Sequence, residues 1–308
     1  MLLYASVCSF LPDFITNTLC FIIPTGVGGM TMSKKKIFIS FDYEGLAGVT
    51  SWNDVEKRSN EYKRYEMLRQ LKAFLKGLEG CEVTLVDSHA AGDNIPWEIT
   101  EEFPYVTLVS GGIRQYYMMY GIDESFDFAV FFGYHAGIGT IHANMDHTYS
   151  SSSIHNIWIN GMEMNEALIN AAFAGLFSVP LGCLIGDDKV IAQTSKILPK
   201  VLTVETKKSI GRHSAIMKPM RILLNELEQC ANKLSTKSRK DFEIFRFSSP
   251  VEMVVEFSDT LRADLVSSMP LVERIDGRKV QIKHDDYKVI FEALLAMTYI
   301  CAAARILV

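Results

Sequence analysis

Three stretches of this chain end a short apolar, β-branched or aromatic run on residues that can hold a metal ion or move a proton. Residues 36–41 lead into Asp42-Tyr43-Glu44-Gly45, residues 82–86 into Asp87-Ser88-His89, and residues 126–132 into Gly133-Tyr134-His135. Runs this short and this apolar read as buried strands. Between the first two, residues 60–78 have helical spacing, with Tyr62, Tyr65, Leu68, Leu71, Phe74, Leu75 and Leu78 on one broad face. A strand at 106–109, closed by Gly111-Gly112, and a short helix at 115–120 continue the rhythm. Alternating strands and helices predict an α/β fold: a mostly parallel sheet sandwiched by helices. Ligands of such sheets bind beyond the carboxyl ends of the strands, where Asp42, His89 and His135 are expected to meet.

The rest of the chain extends this frame. A strand at 154–159 is closed by Asn160-Gly161, and a helix at 163–177 carries Glu166 in its first turn. A further strand at 180–185 ends in Gly186-Asp187-Asp188. Beyond it the spacing predicts helices at 188–198, 213–234 and 287–306, and strands at 201–205, 251–257 and 279–283. The expected organisation is a metal-binding core at 33–190 and a smaller mixed α+β part at 191–308 that completes the fold and makes oligomer contacts. Residues 1–32 contain no Lys or Arg and are interrupted by Pro12 and Asp13. That pattern suits neither a secretory signal nor a bilayer span, so the segment reads as an apolar extension outside the fold.

Composition narrows the functional classes. A net charge of -5 leaves no basic footprint for nucleic acid or an anionic membrane surface. The six cysteines include no CxxC pair, which points to a reducing, cytoplasmic setting without a disulfide framework or a thiolate zinc site. Carboxylate oxygens and neutral imidazoles remain as the candidate ligands, a set that suits zinc, with manganese or iron as alternatives. Taken singly, each strand end has a bland account: a capping Asp or Ser, a structural His, an acidic first helical turn. Their recurrence in one sheet points to a two-metal hydrolytic site. Lys207-Lys208 and Arg212-His213 read as surface residues, and Trp52, Trp97 and Trp158 as candidates for subunit contacts.

The ordered motifs Asp42-Tyr43-Glu44-Gly45, Asp87-Ser88-His89, Gly133-Tyr134-His135-Ala136, His147-Thr148 and Ile159-Asn160…Glu166…Asn170-Ala171 resemble those of the zinc-dependent D-aminopeptidase (DppA-type) metallopeptidase family. The resemblance covers all but the first 32 or so residues. It implies two zinc ions per subunit, bridged by Asp42 and completed by Glu44, His89, His135 and Glu166. His147 then takes the catalytic position, with His142 in the same loop as its rival. The family also implies a short-peptide substrate, with D-residues, and a ring-shaped homo-oligomer such as a decamer. Two other readings stand beside it. A haloacid-dehalogenase-like phosphatase would use Asp42 as nucleophile, but Glu44 and Leu46 depart from that pattern. A non-catalytic metal-binding protein would keep the ligands and turn over nothing.

Overall fold

Alternate side chains of the first strand, β1 (Lys36–Phe41), enter two different cores. Ile37, Ile39 and Phe41 pack on one side and Phe38 on the other, as the two-residue period of a strand requires. The computed structural model describes residues 34–56 and 61–304, so the extension at 1–32 lies outside the described residues. Along the chain follow α1 (Trp52–Glu56), α2 (Glu61–Lys76), β2 (Glu82–Asp87), α3 (Ile99–Glu102), β3 (Val106–Val109), β4 (Phe128–Tyr134), β5 (Ile154–Ile159) and β6 (Met162–Glu163). Then come α4 (Glu166–Leu176), β7 (Leu181–Asp187), α5 (Asp188–Ser195), β8 (Leu202–Gly211), β9 (Ser214–Met217) and α6 (Met220–Thr236). The last elements are β10 (Val251–Phe257), α7 (Thr260–Val266), β11 (Val272–Arg274), β12 (Lys279–His284) and α8 (Tyr287–Ala304).

Seven strands form one sheet in the order β3-β2-β1-β4-β7-β8-β9. All neighbours in it are parallel except β9, which turns back along β8. The fold is therefore mixed α/β with a mostly parallel sheet. Helices α2 and α6 cover the face that carries Ile37, Ile39 and Phe132. The face that carries Phe38 and Phe131 meets α4 and a second, antiparallel sheet of order β11-β12-β10-β5-β6. The chain after residue 190 thus supplies two strands to the first sheet and three to the second. Helix α8 packs on α4, α7, β10 and β12. It is long and apolar enough to cross a membrane by length and composition, and half of it is buried inside the protein.

Several boundaries differ from the sequence pattern for local reasons. The helix expected at 213–234 begins only at Met220, because Ser214–Met217 pairs with β8 and Pro219, with its fixed φ, stands at the helix N-cap. The helix expected at 163–177 begins at Glu166. Met162–Glu163 pairs with β5 instead, and the Asn165 side chain caps α4 by accepting from Leu168 N. The short helix expected at 115–120 is a single 3-10 turn at Tyr117–Met119. Cys81, Cys183 and Cys301 are buried, and the Cys183 and Cys230 sulfurs lie 3.3 Å apart across β7 and α6.

Candidate metal centre

The chain leaves β1 for β2 and β3 on one side, and β4 for β7 and β8 on the other, so β1 and β4 flank a topological switch point. Such a point leaves a crevice beyond the carboxyl ends of the strands. Asp42 is the first residue after β1, and His135 the first after β4. Two glycines let these strand ends touch. A Cβ on Gly45 would lie 1.8 Å from Tyr134 O, and one on Gly133, at φ +79, would lie 2.1 Å from Asp42 O. The backbone closes the gap directly: Asp42 N donates to Phe132 O and Gly45 N to Gly133 O, both at 2.7 Å.

The other candidates converge on the same crevice. Glu44 stands in the turn after Asp42, His89 two residues past β2, and Glu166 at the first position of α4. Asp87 stays out of the cluster. It accepts from Asn94 N and Ile95 N, and Asn94 Nδ2 holds His89 O, so the loop after β2 is fixed where the imidazole needs it. His89 Nδ1 lies 2.9 Å from Glu44 Oε2 and 3.3 Å from Asp42 Oδ1. His135 Nε2 lies 3.4 Å from Asp42 Oδ2 and 3.6 Å from Glu166 Oε1. His147, from the loop between β4 and β5, places Nε2 3.9 Å from both Glu44 Oε1 and Glu166 Oε1.

Two backbone carbonyls fix the tautomers. His135 Nδ1 donates to Ala136 O at 3.0 Å, and His147 Nδ1 donates to Met145 O at 2.9 Å. A carbonyl only accepts, so both rings carry the proton on Nδ1 and turn an Nε2 lone pair into the cluster. The two rings stack 4.0 Å apart at 6°, and Trp52 and His147 meet in a T-shaped arrangement at 5.1 Å. His142, the rival in this loop, is exposed and lies away from the cavity.

All six groups are buried. Burial, then the neighbouring Glu44, pushes the Asp42 carboxyl up to about 7. Burial and Asp42 likewise raise Glu166 well above the usual carboxylate range. For Glu44, burial acts upward, but His89, His147 and His135 override it and hold the group well below that range. Burial acts downward on His89, and Glu44 and Asp42 reverse it, so this imidazole holds a proton well above its ordinary value. Burial, then His147, drives His135 down to about 3, and burial lowers His147 as well.

Among the described residues, Asp42 Oδ2, Glu44 Oε2 and His135 Nε2 have no hydrogen-bond partner. Glu44 Oε2 faces His89 Nδ1 at 2.9 Å as an ion pair. Buried polar atoms left without a partner cost free energy, and three in one crevice call for a cation. The ligand atoms of Asp42, Glu44 and His135 lie within 4.8 Å of one another, as do those of His135, His147 and Glu166. The oxygen and imidazole donors fit zinc chemistry.

Above the cluster opens a cavity of about 380 Å³, walled by Trp52, Tyr117, Tyr149 and Ser150 and by Leu295 and Tyr299 of α8. Tyr149 N donates to Glu166 Oε1 at 2.6 Å, and its hydroxyl donates to Asn170 Oδ1 at 2.8 Å. Asn170 Nδ2 in turn donates to Tyr134 Oη, which is hydrogen-bonded to Ser40 Oγ and through it to Ser88 Oγ. Sequence reasoning missed Tyr117, Tyr149 and the contribution of α8, whose residues carry no metal-ligand signature. It also misplaced Lys207, expected at the surface, which is 1% exposed. Burial lowers its ammonium to about 8, against the opposing pull of Asp187 and Glu44. Lys208, Arg212 and His213 are exposed, and so is Trp97 at the protein surface.

The chain is 28% identical over 272 residues to a D-aminopeptidase of Bacillus subtilis (strain 168), an alignment that spans 85% of this chain and 96% of that protein. Its fold superposes with a TM-score of 0.80 and 26% identity on a solved structure described as the Zn-dependent D-aminopeptidase DppA from Bacillus subtilis, a self-compartmentalizing protease. That match covers 87% of this chain and 98% of the other. Neither the phosphatase nor the non-catalytic alternative finds support in these likenesses. The D-aminopeptidase family profile matches residues 35–296, most of the chain and a span that contains the cluster, and the protein belongs to that family of hydrolases.

Proposed function

We propose that the protein is a zinc-dependent aminopeptidase that removes the N-terminal residue of short peptides, D-residues included, with two zinc ions per chain. Asp42, Glu44, His89, His135 and Glu166 would hold these ions, and Asp42, whose two oxygens face His89 and His135, would serve both. The observation that carries this reading is the convergence of Asp42 Oδ2, Glu44 Oε2 and His135 Nε2, all buried and unpartnered, at the switch-point crevice. Bound zinc would supply Lewis-acid polarisation of the peptide carbonyl and would acidify a water molecule.

The chain's own groups do the rest. His147, with Nδ1–H held by Met145 O, offers Nε2 at the cavity floor to take up a proton and to return it to the departing amine. Lowering of its proton affinity by burial keeps it neutral and ready to accept near pH 7. The aromatic walls, Trp52, Tyr117 and Tyr149, limit water around the reacting bond. The description of the structural relative as self-compartmentalizing supports assembly of this chain into a closed homo-oligomer, for which we propose a decamer acting in the cytoplasm.

The test is cleavage of D-Ala and L-Ala p-nitroanilides before and after treatment with a chelator, and again after zinc is restored. The expected result is chelator-sensitive cleavage recovered by zinc, with the D-enantiomer preferred. Cleavage indifferent to chelation would remove the metal from the account, and preference for the L-enantiomer would change the substrate class.

A further inference from the structure

Strand β8 carries a bulge beside the metal crevice. Gly186 pairs with Glu205, but the next residue, Asp187, pairs with Lys207, so Thr206 is the extra residue on β8. A bulge shifts the alternation of a strand by one place. Val204 is buried before it, Thr206 at it, and Lys207 and Ser209 after it. The shift turns a lysine into the interior.

The Lys207 ammonium has three donors and all three are used. Nζ donates to Glu44 O and Val49 O, each at 2.6 Å, and to Asn144 Oδ1 at 2.7 Å. The first two acceptors bracket the turn that presents Glu44. The third belongs to the loop that presents His147. Asn144 continues the link, donating from Nδ2 to Thr50 O and Arg212 O, each at 3.0 Å. Met145 N donates to the same Arg212 carbonyl, and Met145 O holds His147 Nδ1. On the other side Thr206 Oγ1 donates to Gly45 O, so consecutive residues of β8 grip consecutive carbonyls of the Glu44 turn.

We propose that Lys207 is a positioning residue of the metal centre, tying the Glu44 turn to the Asn144–His147 loop so that the Glu44 carboxylate and His147 Nε2 face one point. A lysine suits the task better than a neutral side chain. Its acceptors are three buried oxygens on two separate loops, and a single tetrahedral group with three donors satisfies them together. Its role runs through Glu44 and His147; the ammonium itself lies behind the Glu44 backbone and does not line the cavity.

This inference rests on the zinc reading above, and its test separates the two. Zinc dissociation constants would be measured by chelator competition for the wild type, Lys207→Met and Phe257→Ala, together with kcat and KM at saturating zinc. Groups that orient metal ligands typically contribute about 10- to 100-fold to metal affinity or activity. Lys207→Met is expected to weaken zinc binding within that range and to lower kcat, with KM changed less than kcat. Phe257→Ala, in the core of the second sheet, serves as a variant of lowered stability whose zinc affinity stays at the wild-type value. If Lys207→Met does not fold, Asn144→Ala opens the same link from the other loop and is read the same way. Zinc affinity and kcat of the wild-type size in the folded variant would overturn the positioning role alone. A wild type that binds no zinc would overturn the reading beneath it.

Discussion

In the seven-stranded sheet, β1, β2, β4 and β7 all end at one edge; in the five-stranded sheet, neighbouring strands end at opposite edges. Both sheets bury large apolar side chains, Phe41 and Phe132 in one, Ile157 and Phe257 in the other. Only the parallel arrangement gathers the residues that follow successive strands into one crevice. Asp42, His89 and His135 are far apart in sequence and adjacent in space for that reason. The antiparallel sheet adds no ligand to the cluster. It packs against α4, whose first residue is Glu166, and against α8, which forms part of the cavity wall. One sheet places the chemistry, and the other braces two of the helices around it.

That division of labour can be broken experimentally. The largest effect is expected from Asp42→Ala, which removes the one carboxylate proposed for both ions. Metal assistance is worth several kcal/mol of transition-state stabilisation, so activity should fall by about a thousandfold or more. Metal content should fall with it, while the circular dichroism spectrum of the fold is kept. His147→Ala should lower kcat by about 10²- to 10⁴-fold, the range of a general acid–base group, with metal still bound. His142→Ala, exposed in the same loop, should leave kcat at the wild-type value; a loss there would exchange the roles of the two histidines. Phe257→Ala should reverse the pattern, costing about 3–5 kcal/mol of stability, seen as a lower melting temperature, with metal affinity unchanged.

The smallest expected effect is on the pH dependence of stability without metal. His135 and His147 have depressed values, so below the ordinary imidazole value of 6.5 the unfolded chain binds protons that the fold does not, and stability rises with pH. Asp42, raised to about 7, acts oppositely, as do Glu166 and His89: the fold holds their protons more tightly than the unfolded chain does. Between 6.5 and the Lys207 value of about 8 this second group dominates, so the melting temperature of the metal-free protein should fall as pH rises through 7. Zinc, which takes the place of those protons, should flatten the decline. Melting curves between pH 6 and 8 with and without zinc check the sign, and a metal-free protein that gains stability across that range would contradict it.

Much of this arrangement was legible in the sequence, because strand ends in a parallel sheet are marked by local patterns. An apolar run followed by Asp-x-Glu-Gly or Gly-Tyr-His reports both the strand and what lies beyond its end. The pairing of Gly45 and Gly133 against each other's strands was invisible, since each glycine needs the other's backbone to explain it. Lys207 was misread because period-two alternation cannot show where a bulge falls. The cavity wall from α8 was missed for a different reason: Leu295 and Tyr299 look like ordinary core residues, and only the packing of α8 reveals that one stretch of it faces the cavity. The helix boundary at Met220 turned on strand pairing across β8 and β9, which is a non-local contact.

Metal content of the purified protein, measured by elemental analysis per chain, tests the central claim most directly. The account predicts about two zinc ions per wild-type chain, the number a two-metal hydrolytic site holds, and a large loss of both in Asp42→Ala. A wild type that holds no stoichiometric metal, even after zinc is supplied, would contradict it.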